Sequence, residues 1–532
     1  MDLIEHLDKR YNRAKTIFDQ WEAVLEASYY YAIPFRNRFN QPRQFQGDMK
    51  NSRLYDTSAV KATKVFVSKL HNAMTPPQTI WGFLKFNRHG QIDSDEQDEQ
   101  AMLEEAEMQR VLDDYNRKLF EYIHASNFDV IVNECYYDLA VGTAALVVNS
   151  PSDDEPLLFT SIPADKLVIE EAFNGRIETW FRTWEDVRIN EIKLRWPKAV
   201  LSDEMIRMAA EEPDATLDCI KEGVVFFAED KKKPYKYCVW YQDCMMVAEP
   251  LEHNPGIVWR FQKTNNDIWG RGPIMEALPS IISLNEIARI ELASANLNVF
   301  KPYMAFSDGV FNAHTFRLEP MTVIPINPIG TEGQVPLIPL PDASNPQFAE
   351  MKISDLRMQI DKLLFAENPQ QSESIQPQTA TSLIMKQQAL AEQIGPLFSR
   401  LLQEFLAPLI ERVATILDTR GILKRPKVGK KKIHFVYKSP LEQAQGQQDV
   451  ATFTQYVQLL QGIMGPQATN IIVNPGEMPY LIAEKLQIDP RLLNKPEDVS
   501  RVMQEQMNML VSAAEQAPEG EQGASPLGAL GA

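Results

Sequence analysis

Two acidic clusters, Asp93-Ser94-Asp95-Glu96 and Asp153-Asp154-Glu155, carry the carboxylates with which a metal-dependent nuclease would hold Mg²⁺. Both fall in turn-like sequence, where a charge run is normally a solvated surface. Gly270-Arg271-Gly272 opens like a dinucleotide fingerprint but lacks the third glycine, so it reads as a turn feeding a helix. The chain has no GxxxxGK(S/T) phosphate loop and no GxSxG elbow, and its seven histidines form no HExxH pair. His71, beside Leu70 on a helix, reads as packing or surface. The basic stretch Lys424-Arg425-Pro426-Lys427 with Lys430-Lys431-Lys432 is suited to phosphates or another chain, or is a solvated hinge. Nothing here builds an active site, and no cofactor or metal is expected.

Composition narrows the classes further. At 532 residues the chain can bury several cores, and its 44% hydrophobic content is that of a folded protein of two to four domains. The best apolar window, Val130 to Val148, contains Glu134 and Asp138, so no membrane span is expected. The N-terminus lacks the apolar block of a signal peptide. Four cysteines without CxxC spacing read as reduced thiols. A net charge of -18 disfavours a static DNA binder, which needs a basic footprint, but not a protein through which DNA slides.

The elements that must position any site are legible in outline, as an α+β fold that is mainly helical. Residues 1–33 form a helix stopped by Pro34, followed by a polar loop over 36–53. Asp56-Thr57-Ser58 caps a helix carrying Ala59, Thr63, Phe66, Leu70 and Met74, which ends at Pro76-Pro77. A strand over Trp81 to Phe86, an acidic helix over 95–125 and a helix from Phe128 to Ala140 follow. β-patterned runs then lie at 144–148, 157–162, 166–169 and 176–182, helical segments near 185–212, and more strands at 224–227, 235–247 and 257–261.

The most informative stretch begins at Gly272. A helix carries Ile274, Leu278, Ile281, Leu284, Ile287 and Ile290 over more than one face, with Pro279 early enough to bend rather than end it. Eight prolines between 301 and 346 exclude a helix there. Two β-like runs, Met321 to Ile326 and Val335 to Leu340, predict the edge strands of a small hairpin. Helical periodicity returns at Phe348, Met351, Asp355, Met358 and Lys362. Asn368 to Thr379 is a loop of Gln, Ser and Pro. Thr379 or Thr381 then caps a long helix reaching Gly421, with bends expected at Pro396 and Pro408. A strand over 432–437, a helical region over 441–514 and a tail over 515–532 complete the chain.

This order of helix, β excursion, return helix, polar loop and long helix resembles the portal, or head-to-tail connector, proteins of tailed bacteriophages, particularly the short-tailed group. Tyr55-Asp56-Thr57-Ser58-Ala59, Ser68-Lys69-Leu70, Thr75-Pro76-Pro77 and Trp81 are similar to the family's N-terminal pattern. Trp269-Gly270-Arg271-Gly272-Pro273, with Ala277-Leu278 and Leu284-Asn285, is similar to its lead-in to the stem helix. Gln378-Thr379-Ala380-Thr381 resembles the signature opening the long helix, although Ser382 stands where an acidic residue is expected. Ser439-Pro440-Leu441 is also family-like.

The resemblance implies a wing over 1–271 and 382–438, stem helices at 272–300 and 347–366, a clip at 301–346, a tunnel loop at 367–381 and a crown at 439–514. It implies a ring, usually of twelve copies, at one capsid vertex of the virion, assembled in the host cytoplasm. Double-stranded DNA would be threaded through the centre, and the ring would contact a terminase packaging ATPase, capsid and scaffolding proteins and tail adaptor proteins, with no membrane. Catalysis would belong to the ATPase and not to this chain. In that setting Gln370, Gln371, Ser372, Glu373, Ser374, Gln376 and Gln378 are the loop residues that touch DNA. Glu276, Glu286 and Glu291 are candidates to line the channel, with interface or outer-surface positions left open. Lys301, His314 and Arg317 are candidate clip contacts to motor or adaptor. Two other classes stay open: a metal-dependent DNA-processing enzyme, and another structural virion protein such as an adaptor or internal core component.

Overall fold

The computed structural model describes residues 3–36, 39, 53–86, 98–152, 155–212, 214–227, 232–299, 303–305, 337–339, 346–367, 399–426 and 433–437, and helical positions within 450–482. The chain divides into two units, Met1–Tyr437 and Lys438–Ala532. In the second, the described residues are mainly a helical stretch within 450–462.

Helix α1 (Leu3–Ala32) buries Leu7, Ala14, Phe18, Leu25, Tyr29 and Ala32, the one-sided stripe that its spacing predicts. Helix α2 (Ser58–Met74) begins where Asp56 Oδ1 accepts a hydrogen bond from Ser58 N at 2.8 Å, so Asp56 and not Thr57 satisfies the free amide. Strand β1 (Gly82–Phe86), helix α3 (Asp98–Ala125) and helix α4 (Phe128–Val141) follow. Trp81 packs edge-on against Phe120 and stacks on Phe128, which joins the strand to both helices.

Two antiparallel sheets come next. One is three-stranded, with β2 (Thr143–Asn149) in the middle, β3 (Leu158–Ser161) on one side and β11 (Gly256–Arg260) on the other. The larger is formed by β4 (Leu167–Glu171), β5 (Ile177–Trp184), β8 (Ile220–Phe226), β9 (Tyr235–Tyr241) and β10 (Cys244–Leu251), in the order β10-β9-β8-β5-β4. The run at 235–247 is therefore two strands, folded back at the turn Gln242-Asp243, where Gln242 takes a left-handed φ of 47°. At one end of this sheet a small module adds its own core: β6 (Val187–Arg188), α5 (Ile189–Arg195), α6 (Asp203–Glu211) and β7 (Thr216–Leu217). Ser202 caps α6, accepting from Met205 N.

Two strand edges are closed by asparagine side chains. The Asn127 carboxamide donates to Phe159 O and accepts from Phe159 N on β3, at 2.8 and 2.9 Å. Asn116 does the same for Leu84 on β1, at 3.2 and 3.0 Å. Each mimics the backbone of a missing neighbour strand.

The chain then returns through helix α7 (Pro273–Val299), strand β12 (Tyr303–Ala305), strand β13 (Leu337–Pro339) and helix α8 (Pro346–Leu363). Pro279 lies inside α7, early and without ending it. β13 falls within the expected run at 335–340, but its partner is Tyr303–Ala305, a pairing that the sequence did not suggest; Met321 to Ile326 lies outside the described residues. The long helix is described from Ser399. It passes through a π-helical turn, Leu402–Leu406, into helix α9 (Ala407–Thr419), and strand β14 (Ile433–Tyr437) pairs with β1. Pro408 accounts for the wide turn. It has no amide hydrogen, and its ring would collide with the carbonyl four residues back, at Glu404. The expected bend at Pro408 is thus a local widening; Pro396 is outside the described residues.

Gly142, Gly270 and Gly272 bring two backbone segments together. A Cβ on Gly142 would lie 2.1 Å from Gly270 O, and one on Gly272 would lie 2.3 Å from Ala140 O. Gly272 N donates to Val141 O and Gly270 N to Thr143 Oγ1, both at 2.8 Å. The expected turn feeding α7 is therefore bonded to the α4–β2 junction, and the glycines serve close backbone approach.

Beside this node Arg260, at the end of β11, is fully buried. Its guanidinium donates to Glu404 Oε1 at 2.8 Å, to Glu171 Oε1 at 3.2 Å, to Gly175 O at 2.7 Å and to Ile268 O at 3.1 Å. Trp259 stacks on Phe405, with ring centroids 4.2 Å apart. One arginine thus ties the π-helical turn, the β4–β5 turn and the approach to α7 together. Replacing Arg260 by Met leaves the Glu404 and Glu171 carboxylates short of a buried partner, and a loss of about 3–5 kcal/mol is expected. Chemical denaturation of the purified variant measures it; an unchanged midpoint would show that the tie is dispensable.

Candidate arm base and assembly surface

Helices α7 and α8 pack on each other and form a two-helix arm. On α7 the buried positions are Ile274, Ala277, Ile281, Leu284, Asn285 and Ala288, spaced three and four apart. On α8 they are Ile353 and Ile360, with Leu356 and Leu363 half-buried between and after them. The periodic set that marks α8 in the sequence, Phe348, Met351, Asp355, Met358 and Lys362, is helical but lies on the exposed face. Periodicity identifies a stripe; it does not say which stripe faces inward.

The base of the arm is held by polar contacts between distant parts of the chain. Asn285 on α7 accepts from Tyr55 N at 2.7 Å and donates to Arg53 O at 3.1 Å. Arg357 on α8 grips Asp56 Oδ2 through Nε and Nη2, at 3.1 and 2.7 Å. The segment that caps α2 is thus clamped between both arm helices. Burial pushes the Asp56 carboxyl up, but hydrogen bonds from Ser58 and Arg357 more than offset that and hold it below the usual aspartate value. Lys69, on α2, donates to Phe365 O at 2.9 Å and Glu367 O at 3.0 Å, placing a cation on the last carbonyls after α8. Phe365 sits at a left-handed φ of 52°, which ends the helix there. Burial pulls Lys69 below the ordinary lysine value, while Glu367 opposes the shift.

Outside this base the arm leaves large apolar side chains uncovered: Ile290 and Leu292 on α7, and Phe348, Met351 and Met358 on α8, each more than half exposed. The last turns of α7, from Arg289 on, and the first turns of α8 carry no buried side chain among the described residues. Five large apolar side chains are thus exposed on one arm, the kind of surface through which chains associate.

A family model described as bacteriophage head to tail connecting protein matches residues 4–493. The chain belongs to that family. Among the relatives of this connector chain is the probable portal protein of Bordetella phage BPP-1, 21% identical, the match covering 98% of this chain and 94% of the relative. Two solved structures are also similar. One is the virion of a native gene transfer agent particle, with 13% identity, a TM-score of 0.31, and 68% of this chain and 83% of the other covered. The other is the neck of an empty gene transfer agent particle, with 12% identity, a TM-score of 0.36, and 83% and 94% covered.

Some of the residues that carry the family resemblance meet in space; Gln378 to Thr381 and Ser439 to Leu441 lie outside the described residues. Tyr55-Asp56, Lys69 and Asn285 all converge on the arm base, and Trp269 packs against Phe18 at the approach to α7. Of the candidate channel residues, Glu276 and Glu286 are exposed and Glu291 is half-buried. Glu286 accepts from Arg289 at 2.6 and 2.9 Å, so its charge is largely compensated within the helix. Gln370, Gln371, Ser372, Glu373, Ser374, Gln376 and Gln378 lie outside the described residues, as do Lys301, His314 and Arg317 and the cluster residues Asp93, Asp95, Glu96, Asp153 and Asp154. Among the described residues no group of three His, Cys, Asp or Glu is placed to hold a metal ion. All four cysteines are free.

Sequence reasoning missed Arg357, Arg260 and Glu404. Arg357 and Asp56 are 301 positions apart, and no local pattern links them. The clamp makes stability depend on pH in a defined direction. Because folding lowers the Asp56 pKa, its contribution is complete above the unfolded value of about 3.9 and is lost as pH falls through the lower folded value. The stability advantage of wild type over Asp56→Asn, read from urea midpoints across pH, is expected at neutral pH and should disappear in that acid window.

Proposed function

We propose that this connector-family protein is a phage portal: a ring of copies at one capsid vertex of the virion, through which double-stranded DNA is packaged and ejected. The observation that carries the reading is a family match over nearly the whole chain, combined with a clamped two-helix arm whose outer apolar face is uncovered in the single subunit. Neighbouring copies that pack arm to arm would bury Phe348, Met351, Met358 and Ile290, which are already close to half covered, so each would contribute about 1–1.5 kcal/mol. The ring would be a dodecamer.

In this reading α7 and α8 are the stem, 301–346 the clip, 367–381 the tunnel loop, 1–271 with 382–438 the wing, and 439–514 the crown. The acidic balance then has a use. A negative bore repels phosphates and keeps a duplex from settling, while Gln and Ser on the loop from Gln370 to Gln378 make brief contacts. Lys69 and the left-handed Phe365 fix where that loop begins. The clip meets the terminase ATPase during packaging and tail adaptors afterwards, and capsid and scaffolding proteins surround the wing. The role is structural, with phosphoryl transfer left to the motor.

Electron microscopy of the purified full-length protein tests the ring: closed rings with one copy per position are expected, and a population of monomers and dimers alone would refute the reading. Deleting Gln370 to Gln376 should leave ring assembly intact and reduce the DNA retained per particle. Rings that fail to form after that deletion would contradict the loop assignment.

A further inference from the structure

Asn174-Gly175, at the tip of the β4–β5 hairpin, is the one Asn-Gly pair in the sequence. The hairpin explains why the two stand together. Gly175 N donates to Ala172 O at 2.9 Å and neither Phe173 nor Asn174 takes a positive φ, so residues 172–175 form a type I turn. Gly175 then takes a left-handed φ of 79°, and Ala172 N donates to Arg176 O at 2.8 Å. This is the three-residue hairpin loop in which a type I turn is followed by a left-handed residue, a place for glycine, with asparagine favoured before it.

The same pair is chemically labile, because glycine puts no side chain in the way of its own amide nitrogen. In an open chain that nitrogen, after giving its proton to solvent, attacks Cγ of the preceding asparagine. The new N–Cγ bond closes a succinimide ring, the Cγ–Nδ2 bond breaks, and ammonia leaves with a proton taken back from solvent. Water then opens the ring to aspartate or to isoaspartate, in which the backbone runs through the former side chain.

Attack needs Gly175 N and Asn174 Cγ to come within about 3–3.5 Å in the right orientation. In the folded hairpin both groups are committed elsewhere. The Gly175 amide is bonded to Ala172 O, while Asn174 Oδ1 accepts from Arg176 N at 2.9 Å and Nδ2 donates to Glu178 Oε1 at 3.1 Å. Turning Gly175 N toward Cγ also displaces Gly175, whose carbonyl oxygen is held by the buried Arg260 at 2.7 Å. Asn174 is exposed, so water has access to it, and only the geometry stands in the way.

We propose that Asn174 is a deamidation site that the Arg260 tie to Gly175 holds closed. Reaction proceeds only from molecules in which the hairpin tip has opened. Its product works against the tie: aspartate at 174 faces the Glu178 carboxylate, and isoaspartate lengthens the backbone just before Gly175. The proposal is independent of the ring reading.

The test incubates full-length protein beside a synthetic peptide of residues 170–178 at mildly alkaline pH, and follows conversion at 174 by peptide mapping with mass spectrometry. The protein should convert roughly ten- to a hundredfold more slowly than the peptide, the factor for one hydrogen bond to a charged group. In the wild type that slowing should match the protection of the Gly175 amide against hydrogen exchange, a readout that needs no variant. Arg260→Lys keeps the charge but lacks the fork that reaches Gly175 O while holding Glu404, and it should raise the rate roughly tenfold in protein that circular dichroism shows to be folded. Equal rates in peptide and protein, or slowing without amide protection, would overturn the closed turn. An unchanged rate in folded Arg260→Lys protein would overturn the role of the tie.

Discussion

A fully buried guanidinium is costly to leave without acceptors, and that constraint organises the larger unit of this protein. Arg260 needs acceptors on every side, and it takes them from β4, from the β4–β5 turn, from the loop before α7 and from the long helix. These segments are otherwise far apart in sequence. The sheet, the arm and the long helix are therefore fixed to one point, and none can shift without uncovering charge in a dry interior. The glycine node next to it does the same work in backbone, since Gly142, Gly270 and Gly272 meet at distances that no side chain would permit.

Local features were legible where the physics is local. The α1 stripe, the cap at Asp56, the strands after Gly142, the two arm helices and the turn at Gly270-Arg271-Gly272 all follow from spacing, capping and punctuation by glycine and proline. What escaped is what depends on pairing across the chain. Nothing near Arg260 announces Glu404, 144 positions away, and nothing near Arg357 announces Asp56. Inward and outward faces were also hidden on α8, because Phe348, Met351 and Met358 are as apolar as Ile353 and Ile360. An exposed apolar face reads like a core until the chain's own core has been located. The strand partner of β13 was missed for a related reason: three residues of β12 carry too little pattern to announce themselves.

The arm and the body have different kinds of order. Near its base α7 is held by Asn285 and α8 by Arg357, both committed to the segment that begins α2. Beyond Ala288 and before Ile353 neither helix buries a side chain among the described residues. The direction of the arm is thus set by the segment that begins α2. The contacts that aim the arm are complete within the single chain, so the assembly proposed above would not be needed to set its direction.

The asparagine plugs on β1 and β3 carry a consequence of another kind. An open sheet edge invites strand-by-strand polymerisation into fibres wherever copies of a chain are concentrated. Asn116 and Asn127 occupy the backbone groups through which that growth would start. With those groups occupied, Leu84 and Phe159 offer no free template for strand pairing, and in the ring proposed above copies would meet through side chains instead.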